Sequence, residues 1–150
     1  MRLSRLLPAL AAAVALLACT PAARADILIA IDKFQQQMTV TVDGEARHVW
    51  PVSTGRRAYD TPAGEFQPFR MERHHFSREW DDAPMPHSIF FTQEGHAIHG
   101  SYERRRLGRP ASHGCVRLAP ENAATLFALV KQQGVKNARV TLSGDLPSAT

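Results

Sequence analysis

The spacing of apolar and polar residues changes period several times along the 150 residues, and each change marks an element. Ile27 to Ile31 is a short apolar run and Gln37 to Val42 alternates with period two, so both predict strands. Asp43-Gly44 and then Ala46 to Val52 complete the pattern of a hairpin, because Gly, and Asp tolerably, accept the positive φ of a tight turn. Pro51 to Gly55 ends that strand, Thr61 to Gly64 predicts a turn, and Glu65 to Met71 alternates again with Phe66 and Phe69 as apolar members. Residues 72–88 have no period, contain Pro84 and Pro86, and predict a loop that covers something. Ser88 to Thr92 and Gly95 to His99 are strand-like, and in the second Ala97 and His99 share one face while Ile98 takes the other. The helix signal is strongest after Ala119. Pro120 opens it, Ala123, Leu126, Phe127 and Val130 form an i, i+3, i+4, i+7 stripe, and Gly134 follows its end. Ala138 to Leu142 is a last strand.

This tally predicts a β-rich fold, mainly β with one substantial helix packed on the sheet, as a sandwich or barrel, with no repeats and no second globular domain. The N-terminal stretch stands apart. Arg2 and Arg5 precede an apolar run from Leu6 to Ala18, and Ala23-Arg24-Ala25 forms a small-x-small cleavage pattern before Asp26. Residues 1–25 are therefore expected to be a secretory signal peptide and 26–150 the working domain, exported to the periplasm or cell envelope of a bacterium. Thirteen apolar residues fall short of the roughly 20 needed to span a bilayer. The competing reading is that Leu16-Leu17-Ala18-Cys19 resembles a lipoprotein box, with Cys19 lipidated; without that lipid no stable membrane insertion is expected.

Charge matters only once this stretch is set aside. Of 18 Lys and Arg residues three lie before Asp26, which leaves 15 against 14 acidic residues. A balance near +1 gives no argument for nucleic acid as a partner. Export changes the meaning of the cysteines more. With Cys19 in the leader, the domain keeps Cys115 alone, in a compartment that oxidises free thiols. A lone thiol there is either a small buried apolar residue or a nucleophile.

The neighbours of Cys115 favour the nucleophile. A cysteine nucleophile needs a base, donors for a developing oxyanion, and room for substrate. Gly114 removes a side chain beside the sulfur and lets a substrate carbonyl approach backbone N–H groups. The helix that starts a few residues later points its positive end this way, although Ala119 is a poor cap. His99 and His113 are the candidate bases, and a strand holds an imidazole better than a loop does, which favours His99.

Ile98-His99-Gly100, the twelve residues up to Ser112, and Ser112-His113-Gly114-Cys115-Val116-Arg117-Leu118 resemble the signature of the L,D-transpeptidase catalytic domain, also called the YkuD domain. The likeness extends to Asp32-Lys33 with Gln37, Trp50 to Gly55, Thr61 to Phe66, Met85-Pro86 and Phe90-Phe91. It implies a β-rich fold and a cysteine acyltransferase acting on peptidoglycan stem peptides. In those terms Cys115 attacks the bond between the diamino acid and D-Ala of a tetrapeptide stem, D-Ala leaves, and an amine of a neighbouring stem resolves the thioester as a 3→3 cross-link. His99 is then general base and acid, Gly100 orients it through its carbonyl, and the backbone N–H groups of His113, Gly114 and Cys115 form the oxyanion hole. Ser112 and Arg117 shape the site, Arg117 as a substrate-binding residue. No cofactor is implied.

Within the same family, water as acceptor would make an L,D-carboxypeptidase, and a protein lysine a lipoprotein-attachment or release enzyme. A non-catalytic wall-binding module is the alternative of another class, disfavoured because Cys115, His99 and Gly114 are all present. Arg104-Arg105-Arg106 reads as a solvated loop before it reads as a carboxylate site. His74, His75, His87 and His96 lack the usual ligand spacing, so no metal is expected. Trp80, Met85 and Phe76 either line a cleft or merely pack.

Overall fold

A computed structural model describes residues 27–148, so the expectations for residues 1–25 and Cys19 lie outside the described residues. Nine strands form two sheets. The larger holds β1 (Ile27–Asp32), β2 (Gln37–Val42), β3 (Glu45–Pro51), β4 (Gly64–Phe66) and β9 (Ala138–Ser143), in the order β3-β2-β1-β9-β4. The smaller holds β5 (Arg70–Glu72), β6 (Ser88–Phe90), β7 (Ala97–Gly100) and β8 (Val116–Leu118), in that order across the sheet. The helix α1 spans Pro120–Gln133.

Local chemistry accounts for most of these elements. Asp43 and Gly44 turn with φ of 50° and 85°, the positive values the β2–β3 hairpin needs. Alternation in β1 and β2 buries Ile27, Ile29, Ile31, Met38, Val40 and Val42 on one face. Pro120 opens α1, which has no side-chain cap at Ala119, and Gly134 ends it at φ 92° while its N–H donates to the Val130 carbonyl. Its stripe of Ala123, Leu126, Phe127 and Val130 is buried, as the periodicity predicts.

One expected strand divides in two. Glu65 to Met71 reads as a single alternating run, yet Gly64–Phe66 pairs with β9 in the larger sheet and Arg70–Glu72 pairs with β6 in the smaller. Gln67-Pro68 is the break, because Pro68 has no N–H for a ladder and the Gln67 side chain donates instead to the carbonyls of Pro68 and Val135. The strand β8 was not expected at all. Its three residues pair in parallel with β7, Ile98 opposite Val116 and His99 opposite Arg117.

Two faces of the smaller sheet have different neighbours. Ile89, Ile98, Val116 and Leu118 join the large core with α1 and the five-stranded sheet. On the opposite face Phe90 and Ala97 pack with Met85 and Cys115 in a separate small cluster. That second face carries the site.

Candidate active site

The parallel register places Ala97 and His99 of β7 on the same side of the sheet as Arg117 of β8 and Cys115 immediately before it. This side opens into a cavity of about 220 Å³ lined by His99, Ser112, His113, Cys115 and Arg117. Its far wall comes from the loop between β5 and β6 through Ser77, Trp80, Pro84 and Met85, so the aperiodic stretch does cover something. Trp80 and Met85 line the cavity; Phe76 stands apart from it, exposed and bridged to Pro84.

His99 is buried, and its Nδ1 lies 2.7 Å from the Gly100 carbonyl. A carbonyl only accepts, so Nδ1 carries the proton and Nε2 is left with a lone pair in the neutral ring. Burial pulls this imidazole from 6.5 to about 4; the Gly100 hydrogen bond opposes the shift, and the charges of Arg117 and His75 add to it. The ring is therefore neutral at physiological pH and presents a basic nitrogen. Gly100 is closely packed as well, since a Cβ there would stand 3.1 Å from Pro86 and 3.2 Å from Pro120.

Cys115 is a free, half-buried thiol whose Sγ lies 3.8 Å from the Gly95 carbonyl. Burial pushes its pKa up, against the hydrogen bond from the Ala97 backbone and the charge of Arg117, while Glu79 adds to the rise. The resting pair is thus thiol and neutral imidazole. Loss of solvent at the sulfur outweighs the Ala97 hydrogen bond and the Arg117 charge.

The turn before the sulfur is held by side chains. Ser112 Oγ donates to the Cys115 carbonyl and accepts the Gly114 N–H at 3.1 Å, which ties residues 112–115 into a tight loop. Of the three amides expected to face an oxyanion, that of Gly114 thus already has Ser112 Oγ as a partner. Gly114 has φ 122°, a conformation that favours glycine. Its missing side chain makes room for the His96 ring rather than for substrate, since a Cβ would come within 3.2 Å of that imidazole. The His113 ring, the second candidate base, is stacked on Trp80 at 3.7 Å and met edge-on by Tyr59 at 5.1 Å. The stack holds the His113 ring against the covering loop.

Arg117 reaches the cavity with Nη1 3.2 Å from Glu103 Oε2, and Arg106 Nε lies 2.9 Å from the same oxygen. Arg104 forms a bidentate, exposed pair with Glu121 at 2.7 Å, so the arginine run is partly occupied by its own chain. Among the histidines weighed as metal ligands, His75 pairs with Glu72 at 2.6 Å and His96 Nδ1 with Thr92 Oγ1 at 2.7 Å. Among the described residues no three His, Cys, Asp or Glu side chains gather as a metal-binding group.

Several residues that hold the site lie in or beside segments of the sequence likeness, but nothing in the sequence assigns any of them a role. Buried Lys33 donates to both oxygens of Asp60 at 3.0 Å and to the Thr61 carbonyl at 2.9 Å. Gln36, in the left-handed region at φ 53°, clamps Thr54: its Nε2 donates to Thr54 Oγ1 at 2.7 Å and its Oε1 accepts the Thr54 N–H at 2.9 Å. The Thr54 carbonyl in turn accepts the Ser112 N–H. The sequence likeness rests on Asp32-Lys33 with Gln37, but Gln36 makes these bonds; three glutamines in a row, Gln35 to Gln37, leave nothing to choose by.

The chain is similar to known proteins. The family model described as the L,D-transpeptidase catalytic domain matches residues 26–141. A Bacillus subtilis protein named as an L,D-transpeptidase, YkuD, is 22% identical over 105 residues, 68% of this chain and 59% of its own length, so the chain spans about three fifths of that relative. Among solved structures, an L,D-transpeptidase from Mycobacterium tuberculosis H37Rv superposes with a TM-score of 0.72 at 23% identity, over 79% of this chain and 58% of the other. One from Stackebrandtia nassauensis gives 0.71 at 24% identity, over 90% and 63%. At such identities the structures speak to the fold, whereas the family model covers most of the chain and its signature residues: the chain belongs to the L,D-transpeptidase catalytic domain, or YkuD, family.

Proposed function

We propose that this protein is an exported peptidoglycan L,D-transpeptidase in which Cys115 is the nucleophile and His99 the general base and acid. The observation that carries the reading is the 2.7 Å contact of His99 Nδ1 with the Gly100 carbonyl. The Nδ1 proton is fixed on the Gly100 carbonyl, so the basic Nε2 serves a cavity shared with the Cys115 thiol.

The chemistry follows from two neutral partners. As Sγ bonds to the carbonyl carbon of the diamino acid in a tetrapeptide stem, the thiol proton moves to Nε2, and the amides of His113 and Cys115 receive the developing oxyanion. The intermediate collapses, the C–N bond to D-Ala breaks, and Nε2 returns its proton to the departing amine. A thioester remains. An amine of a second stem then adds to it, gives its proton to Nε2 and displaces the sulfur, which recovers that proton as a thiol; the product is a 3→3 cross-link. Arg117, cationic and lining the cavity, meets a carboxylate of the stem. Water in place of the amine would give an L,D-carboxypeptidase by the same steps.

Intact-mass analysis of residues 26–150 with a disaccharide-tetrapeptide tests this. An adduct on Cys115, followed by dimer with loss of D-Ala and absent from Cys115→Ala, is the expected outcome. Tripeptide alone replaces transpeptidation by carboxypeptidation, and turnover retained by Cys115→Ala rejects the mechanism.

A further inference from the structure

Thr61 is fully buried, and its hydroxyl is used in both directions: Oγ1 accepts the Gly55 N–H at 2.9 Å and donates to the Gly114 carbonyl at 2.9 Å. Accepting from one backbone group and donating to the other fixes where the hydroxyl proton lies. The carbonyl it holds belongs to the peptide that joins Gly114 to Cys115, and the described chain contains no cis peptide. In a planar trans peptide the C=O and the N–H point in opposite directions. Holding the Gly114 oxygen toward Thr61 therefore turns the Cys115 N–H the other way, to the side of the turn where Cys115 lines the cavity.

We infer that Thr61 is a positioning residue that sets the plane of the Gly114–Cys115 peptide and so aims the Cys115 amide as an oxyanion donor, an inference that rests on the acyl-transfer reading above. The surroundings leave this plane little freedom. Gly114 stands at φ 122°, where the backbone of a glycine is otherwise loose, and nothing in the residue itself keeps the peptide from rotating. Three contacts stop it: Thr61 holds the oxygen, Ser112 Oγ holds the N–H of Gly114, and the His96 ring fills the side on which a Cβ would lie. Thr61 is itself anchored from the turn after β1, because its carbonyl accepts from Lys33 Nζ, which also grips Asp60 next to it. Gly55 completes the frame. A Cβ there would fall 1.8 Å from the Tyr59 carbonyl oxygen, so only glycine allows residues 55–61 to fold tightly enough to bring the Thr61 hydroxyl under the turn.

The test separates the amide from the nucleophile. Alkylation of Cys115 by iodoacetamide is a displacement at a saturated carbon and develops no oxyanion, whereas acylation by a peptide thioester does. Thr61→Val keeps the shape and removes the hydroxyl. Its acylation rate is expected to fall roughly 10²-fold, with alkylation within about twofold of wild type, and Thr61→Ser is expected to recover most of the loss. Parallel loss of both reactions, or loss of neither, overturns the inference. If Thr61→Val does not fold, the ratio of acylation to alkylation in Thr61→Ala decides between the same outcomes. A wild-type protein that alkylates but is acylated by no thioester would instead refute the acyl-transfer reading itself.

Discussion

The large core shared by the two sheets and α1, and the turn around Cys115, are built by different means. In the first, burial follows from period. Ile27, Ile29 and Ile31 alternate inward on β1, Val140 and Leu142 on β9, and α1 presents one stripe. Each contact there is nondirectional, so any residue of similar volume serves nearly as well. In the second, the strands are three or four residues long and positions are set by side chains bonded to backbone: Ser112 to Cys115, Thr61 to Gly114, Gln36 to Thr54, Ser53 Oγ to the Arg109 carbonyl at 2.7 Å. Directional bonds define where atoms lie more sharply than packing does, and an unmet one costs about 1–3 kcal/mol when buried. Area holds the molecule together, and direction aims its reactive atoms.

That division can be broken from either side. The largest effect is expected at His99. Replacing it by Gln removes the proton acceptor, and acylation should fall by about 10²–10⁴-fold in a single-turnover assay. The wild-type rate should also keep its acid limb near the folded value of about 4 rather than at 6.5. Stability has the same origin with its own sign. The buried ring is harder to protonate folded than unfolded, so its contribution is complete above 6.5 and is lost as pH falls toward 4. The loss is on the order of 3 kcal/mol, read as the difference between wild-type and His99→Gln denaturant midpoints across that window. A His99→Gln variant with the same pH profile as wild type would remove His99 from both roles.

Leu126→Ala is the counterpart in the core. Leu126 is fully buried in the α1 stripe, and truncation should cost about 2–5 kcal/mol in chemical denaturation. At 25 °C the acylation rate of the folded protein should stay within twofold of wild type. A drop as large as that at His99 would mean that the core also aims the site. The smallest effect belongs to the Arg104–Glu121 pair, which is bidentate yet exposed on both partners. Glu121→Gln should leave the melting temperature and the rate where they were, because water competes for both charges.

What could be read from the sequence follows the same division. The strands at 27–32, 37–42 and 138–143 and the helix at 120–133 were legible, since a period repeats within each element and needs no partner to be seen. Val116-Arg117-Leu118 was not, because three residues are too few to show alternation and only the pairing with β7 makes them a strand. Gly64 to Glu72 misled because alternation continues through Pro68 while the chain passes from one sheet to the other. At the site, Cys115 and His99 were legible as chemical types, and the faces of Ala97, Ile98 and His99 as positions. Thr61 was read as part of a turn and of the likeness but given no role, because its hydroxyl acts on a carbonyl 53 residues away. His113 was read as a second candidate base and for its backbone N–H, and its ring proved to be a stacking partner of Trp80, a residue no local pattern connects to it.

The place of β9 bears on how the chain is made. It lies between β1, to which it runs parallel, and β4, to which it runs antiparallel, so the last strand occupies an interior position of the larger sheet. During synthesis β1 waits with one open edge while more than a hundred residues are added, and β4 has no partner in its sheet until then. Such distant pairing is slow, since loop closure precedes any gain. Lys33, whose N–H bonds to the Ser143 carbonyl, receives its backbone partner only at that last step, and through Asp60 and Thr61 it steadies the turn that carries the thiol. A nascent or clipped chain lacking residues 138–143 therefore lacks the backbone partner of Lys33, and with it part of the frame behind Cys115.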